Sequence, residues 1–98
     1  MLWSRLASWW RGRRRLGHLN VVMYTRRGCH LCDAAWERLE AARRRYGFAL
    51  TAQDVDADPA LAARHGECVP VVTVNGKVRF RGAVNPVLLE RLLRAEAR

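Results

Sequence analysis

Two cysteines, Cys29 and Cys32, stand where the chain changes its hydrophobic period. Before them, Val21–Thr25 is a short apolar run with the composition of a buried strand. A basic turn follows, Arg26-Arg27-Gly28, and then the motif Cys29-His30-Leu31-Cys32. From Leu31 onward the apolar residues recur at helical spacing. Leu31, Ala35, Leu39, Ala42 and Tyr46 fall within an arc of about 80°, with Asp33, Glu37, Glu40 and Arg44 opposite. Arg43-Arg44-Arg45 suits the negative end of the helix dipole, and Gly47 sits where a left-handed terminator belongs. The helix is therefore expected from roughly Cys29 to Tyr46. Cys-x-x-Cys alone is ambiguous, because zinc sites use the same spacing. Strand before and helix after favour thiol chemistry: one helix turn brings the two sulfurs together, and the helix N-terminus stabilises a thiolate.

Beyond the motif, Phe48–Val55 reads as a second strand in which Phe48, Leu50 and Ala52 alternate. Asp54, Asp56 and Asp58 are expected to be caps and a solvated loop, because no calcium-loop spacing follows them. Asp58-Pro59 is a helix cap followed by proline at the first helical position, which predicts a short helix over Pro59–His65 ending at Gly66. Val71–Val74 is a third strand, Asn75-Gly76 a type I′ hairpin turn, and Lys77–Arg81 an antiparallel fourth strand. Asn85-Pro86 repeats the cap-and-proline device and opens a last helix. Its apolar side is expected to comprise Val87, Leu88, Leu89, Leu92 and Leu93. The order β-α-β-α-β-β-α predicts an α/β domain: a four-stranded mixed sheet with helices on both faces and a right-handed βαβ unit.

The chain has 98 residues and a net charge of +9, unevenly spread. Residues 1–19 hold five arginines and no acid, while the rest carries 13 basic against 9 acidic residues. The reading is of two parts, a basic extension over 1–19 and a domain over 20–98. Within the extension, Leu2, Trp3, Leu6, Trp9 and Trp10 fall on one side of a helical wheel and Ser4, Arg5, Ser8 and Arg11 on the other. The apolar run is too short and interrupted to span a bilayer, and its order is not that of a signal peptide. An amphipathic helix with tryptophans and arginines suits peripheral contact with a membrane surface, or docking on its own domain. Nothing in it reads bases, so no specific nucleic acid is expected. Three cysteines are too few and too odd for a secreted disulfide scaffold, which favours a reducing, cytoplasmic compartment.

With strand, motif, Val69-Pro70 before the third strand and the Asn75-Gly76 hairpin in place, the chain resembles the thioredoxin superfamily over roughly residues 20–95. It is most similar there to small glutaredoxin-like proteins. The resemblance implies a thioredoxin-like fold and a thiol-disulfide oxidoreductase. Cys29 would be the attacking thiol and Cys32 the resolving one. A cis Val69-Pro70 bond would face the pair, and Arg27, His30, Val69 and Pro70 would contact the substrate. It implies as partners a disulfide-bearing protein or small molecule, and a thiol reductant or reductase. Glutaredoxins carry paired glycines and acids where this chain reads Gly82-Ala83-Val84-Asn85. Glutathione is therefore expected to be a poor partner, and no cofactor or metal is required. Two alternatives from other classes stay open. One is a carrier of metal or of an iron–sulfur cluster, with His65, Cys68, Cys29 and Cys32 as candidate ligands. The other is a non-catalytic interaction module. Cys68 itself is expected to be a buried apolar residue.

Overall fold

The computed structural model describes residues 16–97. The expected amphipathic helix therefore lies, up to residue 15, outside the described residues. The elements are β1 (Asn20–Thr25), α1 (His30–Tyr46), β2 (Ala49–Asp54), a 3-10 turn (Val55–Ala57), α2 (Pro59–His65), β3 (Val71–Val74), β4 (Lys77–Arg81) and α3 (Pro86–Glu96). The sheet runs β2-β1-β3-β4. β1 pairs parallel with β2, and β3 is antiparallel to both β1 and β4. This is the expected mixed sheet, and each device that the residues suggested appears. Asn75 and Gly76 both have positive φ, 49° and 84°, as a type I′ turn requires. Asn75 also accepts the Asn20 N–H on its side-chain oxygen at 2.7 Å, tying the hairpin to the start of β1. Gly47 ends α1 at φ 78°, its N–H donating to the Arg43 carbonyl. Asp58 and Asn85 cap α2 and α3 with a proline behind each.

Alternation along the strands builds two packing layers. Val21 and Met23 on β1, Val72 and Val74 on β3 and Phe80 on β4 belong to one core cluster. Cys32, Ala35, Leu39 and Ala42 of α1 and Leu89, Leu92 and Leu93 of α3 close over it. The alternate residues of the same strands point the other way. There Tyr24 stacks on His65 of α2, ring centroids 4.5 Å apart. An Arg38 guanidinium N–H donates to the Val84 carbonyl at 2.7 Å and joins α1 to the segment entering α3.

Four expectations are corrected. Leu16 and Leu19 are fully buried in the main core, so the packed unit reaches back past residue 20. Leu16 donates its N–H to the Tyr46 carbonyl, and Leu19 accepts from Ala49. The alternation in β2 does not bury Ala52, because β2 is an edge strand with a neighbour on one side only. Leu31 is exposed: the buried stripe of α1 enters the first turn at Cys32, and Leu31 lies on its rim. Val87 and Leu88 are also exposed, since the stripe of α3 is Leu89, Leu92 and Leu93, and both lie 100° or more away from Leu89 at about 100° per residue.

Candidate functional site

The motif opens α1 at the carboxyl end of β1. Cys29 is the N-cap residue, with extended φ and ψ, and its Sγ accepts the Cys32 backbone N–H at 3.1 Å. The sulfur thus takes the place usually held by a serine or aspartate oxygen at a helix N-terminus. Gly28, at φ 73°, makes the turn into it. Cys29 and Cys32 are joined as a disulfide, their Cα atoms 5.2 Å apart. Cys32 is buried in the main core, whereas Cys29 is only partly buried. The pair therefore has one face toward solvent and one toward the sheet.

The cis Val69-Pro70 bond leads into β3. Because Tyr24 pairs with Val71, the loop after β1 and the loop before β3 emerge side by side at one end of the sheet. A hydrogen-bond cluster fixes the second loop. The Gly82 N–H, at φ 78°, is shared between the Cys68 and Pro70 carbonyls at 2.9 and 2.8 Å, and Cys68 donates its N–H to the His65 carbonyl. Among the described residues, the Val69 N–H and C=O enter no hydrogen bond with other backbone.

Arg26 is the link that sequence reasoning missed. Its guanidinium makes two hydrogen bonds of 3.0 Å to the Asp56 carboxylate and a third of 2.9 Å to the Gly66 carbonyl. It thereby ties the turn before Cys29 to the 3-10 turn and to the loop that leads to Pro70. Its charge is spent there. Arg27 is exposed and, among the described residues, has no ion-pair partner. Of the two arginines, it is the one left to act on the motif's surroundings. His30 is exposed, Val69 half-buried and Pro70 buried. Asp54 and Asp58 cap the 3-10 turn and α2 as expected, whereas Asp56 pairs with Arg26. No sequence signal marks Asp56 as the arginine's partner, 30 positions away.

His65 and Cys68 depart from expectation. His65 is buried, its ring against Tyr24, and its Nδ1 has no hydrogen-bond partner. Burial, with Arg64 and Arg81 nearby, pushes its pKa below the ordinary histidine value. Cys68 is a free, exposed thiol rather than a core residue, because the loop turns it outward ahead of Pro70. The set His65, Cys68, Cys29 and Cys32 is not assembled. Among the described residues, no group of three or more His, Cys, Asp or Glu side chains is placed to hold a metal ion. At the glutaredoxin-type position, Val84 is buried, and Asn85 uses its side chain to accept the Val87 and Leu88 N–H groups. No described helix is long and apolar enough to cross a membrane.

A disulfide at the N-terminus of the first helix, with a cis-proline loop on the adjacent strand of a β2-β1-β3-β4 sheet, defines a thioredoxin-fold protein with a redox-type cysteine pair. Comparison with known proteins agrees and is more specific. The chain belongs to the glutaredoxin-like domain family (DUF836), which it matches over residues 20–94. A curated relative, a probable thioredoxin of Methanothermobacter thermautotrophicus, is 31% identical over 68 residues, covering 66% of this chain and 80% of that one. A solved structure from X. campestris superposes with a TM-score of 0.64 at 32% identity, over 76% of this chain and 96% of that one. A protein of Nitrosomonas europaea superposes at 0.66 with 22% identity, over 76% and 89%. A mutant thioredoxin from Halobacterium salinarum gives 0.64 at 20%, over 82% and 75%; the last two show the fold alone.

Proposed function

We propose that this protein is a dithiol-disulfide oxidoreductase in which Cys29 attacks and Cys32 resolves. The observation that carries the reading is the asymmetry of the pair. Cys29 is at the helix cap, partly exposed, with the Cys32 N–H aimed at its sulfur. Cys32 is buried one turn in. A thiolate at Cys29 would be stabilised by that N–H and by the helix dipole.

The reductive half-reaction balances as follows. In the dithiol form, the Cys29 thiolate attacks one sulfur of the substrate disulfide. A sulfur–sulfur bond forms to Cys29, and the substrate's own bond breaks, expelling one thiolate that takes up a proton. Cys32, on losing its proton, attacks the Cys29 sulfur and expels the second substrate thiolate. Two electrons pass from the protein to the substrate, and the protein ends as the Cys29–Cys32 disulfide. An external thiol reductant or reductase returns it to the dithiol. The unpaired Val69 peptide group offers a donor and an acceptor to an extended substrate segment lying beside the pair. Arg27 and His30 stand exposed beside the nucleophile, where they can meet the substrate.

Glutathione is a weak candidate, since Asn85 is occupied in capping α3 and no acid stands beside it. The reading places the protein in a reducing, cytoplasmic setting, on the grounds of its odd, small cysteine complement. The test is reduction of insulin disulfides with dithiothreitol as electron donor. Accelerated precipitation that disappears in Cys29→Ser supports the proposal. A wild-type rate equal to dithiothreitol alone would make the chain a binding module that retains the fold.

A further inference from the structure

We infer that the groove between α1 and the open edge of β2, beside Cys32, takes an extended basic segment of the protein on which the cysteine pair acts. That the occupant is a substrate rests on the oxidoreductase reading; the groove and its charge do not. Met23 and Ala52, direct neighbours in the β1–β2 register, form its floor, and Cys32, Asp33, Trp36 and Glu37 of α1 form its wall. In the order β2-β1-β3-β4 it flanks the motif on the β2 side, whereas the Val69-Pro70 loop flanks the motif on the β3 side. The floor is open because Ala52 is small and exposed on an edge strand. That edge is also built to pair. Ala49 donates its N–H to Leu19 on the β1 side, so by strand alternation the N–H and C=O groups of Leu50 and Ala52 point off the open edge. Residues 49–53 carry no charge and no proline, the devices by which an edge is usually closed to a further strand.

Charge decides the occupant. The chain holds nine acids and a net charge of +9. Glu40, Asp56, Glu90 and Glu96 are in ion pairs, and Asp54 and Asp58 act as caps. Among the described residues this leaves Asp33, Glu37 and Glu67 with neither an ion pair nor a side-chain hydrogen bond, and two of these three line this one groove. Asp33 and Glu37 stand four positions apart on α1, an arrangement of like charges that weakens a helix and that a bound cation relieves. Both are exposed, and the half-buried Trp36 beside them offers a ring to an arginine stem or guanidinium. The spacing narrows the segment further. Four helix residues rise about 6 Å, and alternate residues of a strand lie about 6.6 Å apart. The crossover helix of a βαβ unit runs alongside its strands, so a strand added to β2 brings its residues i and i+2 opposite Asp33 and Glu37. The segment is thus of the form Arg-x-Arg. A nucleic acid or an anionic lipid would be repelled here.

The experiment is titration calorimetry of the oxidised full chain with cysteine-free peptides, so that no disulfide exchange takes part. The probe is a short threonine- and valine-rich peptide with Arg-x-Arg at its centre. It is compared with the same peptide bearing citrulline for arginine, with the two arginines made adjacent, and with alternate backbone amides N-methylated. Two exposed ion pairs are together worth about 2- to 30-fold in affinity. The citrulline peptide should bind more weakly by that factor at low salt, and so should the arginine peptide against Asp33→Asn/Glu37→Gln; added salt should narrow both gaps. N-methylation should abolish binding in one alternation and spare it in the other. The peptide-side comparisons stand whatever the stability of the variant. No binding of the arginine peptide would overturn the inference. So would equal binding of the citrulline or adjacent-arginine peptide, wild-type affinity in the variant, or binding that survives both N-methylations. Arginine-dependent binding without insulin reduction would sink the oxidoreductase reading and leave the groove as a docking site; insulin reduction without peptide binding would do the reverse.

Discussion

Leu19→Ala should unfold the domain at a much lower temperature, although the residue lies before the first strand. Leu19 is 1% exposed and belongs to the same cluster as Leu39, Phe80 and Leu93. Its carbonyl also accepts the Ala49 N–H, which sets the start of the β1–β2 pair. Truncating a fully buried leucine costs about 2–5 kcal/mol, from lost transfer energy plus the cavity left behind. For a domain of this size each kcal/mol shifts Tm by about 4–8 °C, so the expected drop is about 8–40 °C. Removal of residues 1–19 would delete both Leu16 and Leu19. That loss is comparable to the whole stability of a small domain, about 5–15 kcal/mol. Leu88→Ala is the control: its side chain is half exposed, and surface changes of this kind stay within about 0.5 kcal/mol. Melting of the oxidised protein, followed by circular dichroism, reads all three. A Leu19→Ala protein that melts together with Leu88→Ala would refute the placement of Leu19 in the core.

Gly66→Ala should destabilise by about 1–3 kcal/mol, as overpacking does. A Cβ there would stand 2.5 Å from the Ala62 carbonyl oxygen, which is backbone, and 2.9 Å from an Arg26 guanidinium nitrogen. An unchanged Tm would contradict the tight Arg26–Gly66 contact. In the reduced protein, Cys29 should react with iodoacetamide at neutral pH faster than Cys68, although Cys68 is exposed, because only Cys29 sits at a helix cap; peptide mapping that finds Cys68 faster would count against the nucleophile assignment. His65 is held below its ordinary pKa by burial, so between that lowered value and about 6.5 the unfolded chain binds a proton that the folded one does not. Stability should therefore decline as pH falls below about 6.5, and His65→Gln should flatten the decline in urea titrations from roughly pH 7.5 to 5; an unchanged slope would mean that His65 is not the group responsible.

Most of the fold was legible because each boundary has a local chemical cause. Asp58-Pro59, Asn75-Gly76 and Asn85-Pro86 act within two or three residues, and the period of α1 is carried by Ala35, Leu39 and Ala42. What failed was longer in range or finer in angle. Periodicity alone placed Leu31, Val87 and Leu88 inside, but an arc says nothing about where the neighbouring element ends. Leu16 and Leu19 were counted with a charged extension because five arginines dominate that stretch, while their burial depends on Tyr46 and Ala49, about 30 positions away in sequence. In the site, the cysteine pair and the proline could be read as motifs. The Arg26 bridge, the exposure of Cys68 and the isolation of His65 are products of tertiary placement, with no spacing rule to announce them.

The central claim is that Cys29 attacks and Cys32 resolves, and trapping tests it most directly. A Cys32→Ser protein, reduced and then mixed with a peptide disulfide, should accumulate a one-to-one mixed disulfide. Intact-mass and peptide analysis should place the bond on Cys29, stable until dithiothreitol is added. The matching Cys29→Ser protein should accumulate little, since Cys32 is buried. A mixed disulfide carried mainly by Cys68, or equal trapping by the two variants, would contradict the account.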